Sequence, residues 1–109
     1  MSHEEVQKKI EEKATKRAER ELNDLREVLS TASGLRFVWK RIVDSGFFTL
    51  SYTGVAASTD FNEGKRAEGI ALVSLVLKAR PEAFLQMMRN AESERIKDEA
   101  EMQKFAEEA

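Results

Sequence analysis

The chain has 109 residues, 35% of them charged, with a net charge of −2, which fits one domain with a modest core. It has no cysteine and a single histidine, His3, which excludes a disulfide scaffold, a thiolate metal site and a cysteine nucleophile, and offers no converging zinc ligands. No apolar window reaches the ~18 residues of a membrane span, and an N-terminus without an apolar segment predicts no signal peptide, hence a cytoplasmic protein or a particle assembled in a cytoplasm.

The near-neutral total hides an uneven distribution. Residues 30–81 carry seven Lys/Arg against four Asp/Glu, and residues 82–109 carry four against eight. A mildly basic middle therefore lies between an even N-terminal arm and an acidic tail, an argument about association rather than fold.

Residues 4–29 predict a long helix. Val6, Ile10, Ala14, Ala18, Leu22, Leu25 and Leu29 recur every three or four positions, and so share one face. The stripe is thin and its flanks are charged. It reads either as a solvated amphipathic arm or as a helix that completes its burial against a partner or a copy of itself. Ser30 to Gly34 breaks the pattern with small hydroxylated residues and a glycine, which end one helix and cap the next. A second helix is predicted over 35–45. Its apolar edges are Leu35, Val38, Ile42 and Phe37, Trp39, Val43, and its basic edge is Arg36, Lys40 and Arg41. Gly46 follows where a left-handed C-terminal residue is expected.

Residues 47–58 have no helical period. Aromatic and β-branched residues around Gly54 predict a packed extended loop in preference to a small hairpin, since a lone hairpin is marginal. Phe47 and Phe48 are expected to plug the core, and Tyr52 to do the same with its hydroxyl on a partner. The third helix is predicted over 60–79. Asp60 and Glu63 have capping-box spacing, and Ser58 or Thr59 is the alternative cap. The run Ile70 to Leu77 is apolar almost all round, which suits burial on several sides. Gly64 and Gly69 inside a helix each cost about 1 kcal/mol relative to alanine, so close approach of another element is expected at both. Arg80-Pro81 ends this helix and starts a fourth, over 81–105, with Glu82 in its first turn. Phe84, Met87, Met88 and Ala91 extend an apolar face that thins to Ile96, Ala100 and Phe105 among acids.

The expected architecture is all-α with about four helices. A charged N-terminal arm (1–30), a helical core (31–94) and an acidic helical tail (95–109) divide the chain. No residue set carries enzyme chemistry. Asp44, Asp60 and Glu63 have no histidine near them in sequence. Gly64-Lys65 lacks the upstream glycine and the following Ser/Thr of a phosphate loop. No catalytic, cofactor or metal site is expected. Arg36, Lys40 and Arg41 on one helix, with Lys65 and Arg66 on another, are candidate phosphate contacts if they share a face. The alternatives are solvated helix edges paired with nearby acids, or pairing of Arg66 with the acidic tail. The aromatic residues are not laid out as base-stacking platforms.

One combination is more specific than its parts. An LRFVWKRI helix is followed by DSGFFTLSYTG, then DFNEGKRAEGIALVSLVL, then RPEAFLQMMRNAE. This order over residues 35–94 resembles a family of small tailed-bacteriophage proteins named from a Bordetella podovirus. The resemblance falls on Trp39, Arg41, Gly46, Phe47, Phe61, Glu63, Gly64, Arg66, Gly69 and Pro81. It implies a virion structural or assembly protein, without catalytic residues or a cofactor. The implied partners are portal, internal-core or ejection proteins and further copies of the chain, within a particle assembled in the host cytoplasm. A phage nucleic-acid-binding or host-takeover regulator using the basic middle is the alternative. Glu63 and Arg66, three apart on one helix, are expected to pair locally, across subunits or with the 46–54 loop.

Overall fold

The computed structural model describes residues 1–49 and 54–109. Four helices account for most of them: α1 (His3–Val28), α2 (Ala32–Asp44), α3 (Ala56–Ala79) and α4 (Pro81–Glu108). The fold is all-α, and no strand occurs among the described residues.

Each boundary has a local cause. Ser2 caps α1, its hydroxyl accepting from the Glu5 N–H at 3.2 Å. Thr31 caps α2 in the same way through the Gly34 N–H at 2.9 Å. α2 therefore begins three residues before the predicted Leu35, and Gly34 lies inside its first turn. A Cβ on Gly34 would sit 1.7 Å from the Val28 carbonyl oxygen. The glycine is there for the close approach of α1's last turn, not as a helix stop. At the other end of α2, Gly46 takes φ +80°, the left-handed position expected of it.

α3 starts four residues before the predicted Asp60. Val55 is its N-cap and makes no side-chain capping bond. Gly54, at φ +85°, turns the chain just before it, and Ala56 and Ala57, both good helix formers, open the first turn. Asp60 and Glu63 are consequently interior residues and do not form a capping box. The Ser58 hydroxyl donates to the Val55 carbonyl at 3.1 Å. Ala56 and Ala57 are helical, so they are neither a strand nor part of an extended loop; the expected loop or hairpin at 50–53 lies outside the described residues. The expected place of Tyr52 in the core lies outside the described residues. Arg80 closes α3 and opens α4, with Pro81 at the first helical position as predicted. α4 then runs to Glu108, beyond the predicted end at 105.

The core is small. Leu29, Val38, Ile42, Val73, Val76, Ala79, Ala83 and Met87 are buried, with Leu22, Leu25, Leu35, Trp39, Phe47, Leu72 and Phe84 packed around them. α3 is central and touches all three other helices. Its burial is one-sided: Gly69, Val73, Val76 and Ala79 face inward, whereas Ile70 and Leu77 are about half exposed.

Two arginines fasten the centre. Arg26 of α1 donates through Nε to the Ala79 carbonyl at 2.8 Å. Arg80 donates through Nη1 to the Leu29 carbonyl at 3.1 Å. Each guanidinium meets the carbonyl end of the other's helix, where cations are favoured.

The molecule is long. Its radius of gyration is 20.0 Å and its extents are 77 × 39 × 17 Å, against roughly 13 Å for a compact domain of this size. At 1.5 Å per residue, α1 and α4 are about 39 and 42 Å long. They meet at the Leu29–Arg80 contact, and neither alone reaches the 77 Å axis. They do not pack along one another, the packed pairs being α1 with α3, α2 with α3, α2 with α4 and α3 with α4. Residues 1–21 and 92–109 are exposed throughout. They form two arms that leave the core toward opposite ends.

Candidate functional site

The resemblance residues separate into two groups. Trp39, Gly46, Phe47 and Gly69 come together where α2 ends. Gly46's positive φ turns the chain so that Phe47 packs on the core. The Trp39 ring lies 5.5 Å from Phe48 and 6.2 Å from Phe84, and Phe47 lies 4.9 Å from Phe48 and 6.4 Å from Phe84. These tilted and edge-on contacts join α2, the turn after it and α4. Phe48 rests on the outside of this cluster, 52% exposed, and does not plug the core. Phe84, which the sequence marks only as one residue of an apolar face, is the ring that ties the cluster to α4.

Gly69 is required by packing. A Cβ there would sit 1.9 Å from the Ser45 hydroxyl and 2.7 Å from its Cβ. Gly64 is not: a Cβ there would meet nothing within 4 Å, so the close approach expected at both glycines exists at one.

The second group lies on the outer half of α3. Phe61 is 67% exposed, with the Lys65 ammonium 5.6 Å from its ring centre. Glu63 is exposed and makes no ion pair with Arg66, nor does Arg66 pair with the tail, among the described residues. Arg66 lies half-buried, and its Nε is enclosed without a hydrogen-bond partner. The expected Glu63–Arg66 pairing is therefore not formed within the chain.

The basic residues line more than one groove. Arg36 and Lys40 line a groove between α2 and α4. Arg41 and Lys65 line a different cleft, between α2 and α3, together with Asp44 and Glu68. Lys40 and Arg41 both reach Asp44, at 3.2 and 3.5 Å, and the Arg41 guanidinium also lies 5.1 Å from the Phe37 ring. Four of the five predicted phosphate contacts are thus divided between two grooves, Arg66 lining neither, and Lys40 and Arg41 already share an acid.

The α2–α4 groove is the larger feature. Leu35, Arg36, Trp39 and Lys40 face Met87, Asn90, Ala91 and Glu94 across a cavity of about 280 Å³. It continues along α4, past Trp39 to Arg95, Asp98, Glu99 and Met102, as a shallower space of about 500 Å³. The floor is apolar, the α2 wall is basic and the α4 wall is acidic. Along this continuation, Arg95 bonds Glu92 at 2.6 Å and Glu99 at 2.5 Å. This bond holds the Glu92 carboxyl below its ordinary range and raises the Arg95 guanidinium further.

Among the described residues no cluster of His, Cys, Asp or Glu is arranged to hold a metal ion, and no helix is long and apolar enough to cross a membrane. Comparison with protein-family models, curated proteins and solved structures finds no match to this chain. The arrangement offers grooves, arms and an aromatic joint, all suited to association.

Proposed function

We propose that this chain is a non-catalytic virion structural or assembly protein of a short-tailed bacteriophage. It works in several copies and associates with the portal, the internal core or the ejection proteins. The observation that carries this reading is the pair of exposed helical arms, about 20 residues each, that leave a small core at opposite ends. Most helix stability in proteins comes from packing of an apolar face rather than from propensity, so exposed arms of this kind suit a protein whose helices are completed by neighbours. The resemblance over residues 35–94 supplies the phage context. The clustering of Trp39, Gly46, Phe47 and Gly69 gives part of that pattern a packing role rather than a chemical one.

Mass spectrometry of purified virions of the encoding phage, with light scattering of the purified chain, tests the proposal. The expected result is a virion component present in several copies and a chain that self-associates. A strictly monomeric chain absent from particles would sink it.

A further inference from the structure

We propose that the α2–α4 groove receives the α1 arm of a second copy of this chain, so that copies join head to tail. The inference rests on the multi-copy reading above and deepens it.

Both surfaces are open. Residues 1–21 are exposed throughout, with Val6 and Ile10 41% and 57% exposed. The groove's outer residue Met102 is 67% exposed. Their lengths are compatible: the groove lining on α4 runs from Met87 to Met102, about 24 Å of helix, and residues 3–21 span about 28 Å. The chain's own arm does not fill the groove: α1 packs against α3 and is not packed along either groove wall, α2 or α4.

The charges agree as well. At about 100° per residue, Val6, Ile10, Ala14 and Ala18 form the arm's stripe. Lys9, Lys13, Arg17 and Arg20 lie along one edge of it, and Glu4 and Glu11 along the other. The groove has the matching pair of walls: Glu94 and Asp98 from α4, Arg36 and Lys40 from α2. Only one of the two directions along the groove satisfies both edges, so the docking has a defined polarity. Among the described residues, none of Lys13, Arg17, Glu94, Asp98 and Arg36 takes part in an ion pair, whereas Arg95 occupies Glu92 and Glu99. These charges are therefore available to a second copy. Ala14 and Ala18 are small enough to bring the arm's backbone close to Trp39. A head-to-tail contact closes a ring or grows a filament, depending on the rotation between copies.

A charge swap on the full chain tests this by sedimentation velocity at low salt, with helix content checked by circular dichroism. One variant carries Lys13→Glu and Arg17→Glu; the other carries Glu94→Lys and Asp98→Lys. Each alone is expected to raise the concentration needed for half-assembly about tenfold or more, since like charges then face each other. An equimolar mixture is expected to recover assembly, because every contact between unlike variants is again complementary. The chain's lack of cysteine allows a second readout: Ala14→Cys chains mixed with chains carrying Ala91→Cys, beside Trp39 on the groove floor, should form the mixed disulfide in preference to either self-pair. Assembly unaffected by the reversals, not restored by mixing, or dominated by Ala14→Cys self-pairs would overturn the docking while leaving the multi-copy reading standing. Assembly that appears only on adding DNA would overturn it in favour of a nucleic-acid occupant. A wild-type chain that stays monomeric at every concentration would overturn both readings.

Discussion

At the scale of single residues, the two glycines of α3 separate propensity from packing. Both lie inside the helix, but an added Cβ meets nothing at Gly64 and collides with Ser45 at Gly69. Gly64→Ala should stabilise the chain by about 0.5–1 kcal/mol, by restricting the unfolded state and improving helix propensity. Gly69→Ala should destabilise it by about 1–3 kcal/mol, because the end of α2 must move away. Urea denaturation followed by circular dichroism checks both, and opposite signs are the expected outcome. The same contrast shows what was legible. A glycine in a helix signals that something is unusual, and at Gly46 the local pattern was sufficient, because a left-handed position after a helix is set by the chain itself. At Gly34 and Gly69 the cause is a carbonyl or hydroxyl brought in by another helix, which no local pattern encodes. Arg26 and Arg80 were missed for the same reason: their carbonyl partners lie 53 and 51 residues away.

At the scale of elements, the four helices follow from apolar periodicity, Pro81 and the breaks around Ser30 and Gly46. The start of α3 did not. Asp60 and Glu63 have the spacing of a cap, but Gly54 and the two alanines after Val55 begin the helix a turn earlier. Tertiary burial did not decide this boundary; competing local signals did. In α4, the Trp39 and Phe84 contacts fix the inner half, whereas the exposed outer half depends on its own side-chain pairs. Arg95 bridges Glu92 and Glu99, at spacings of three and four residues. Because Glu92 is held below its ordinary value of 4.5, the bridge contributes helix stability above that pH. The contribution is lost as pH falls through the lowered value. Helix content of the full chain should therefore drop on acidification below about pH 4.5, and an Arg95→Gln variant should lose much of that dependence. Circular dichroism across pH 6 to 2 checks it, at low salt because exposed pairs are screened.

At the scale of the whole molecule, a core with eight buried hydrophobic residues among the described ones carries two long helical extensions, and their stability must differ from that of the centre. The buried segment from Val73 to Met87 is protected by contacts from α1, α2 and α4. Residues 3–21 and 94–108 are exposed throughout, and most helix stability in proteins comes from tertiary packing rather than propensity. Their amides should exchange with solvent orders of magnitude faster than those of the centre at low protein concentration, where local fraying dominates. If the arms are completed by other copies, protection of these two segments should rise with concentration, while that of residues 73–87 stays constant. Ligand-like stabilisation by mass action requires this pattern, since a neighbour that binds only the helical arm adds stability in proportion to its occupancy. Hydrogen exchange read by mass spectrometry over a hundredfold range of concentration makes the comparison within one molecule. Equal protection at both ends of that range would mean that the arms find no partner in further copies.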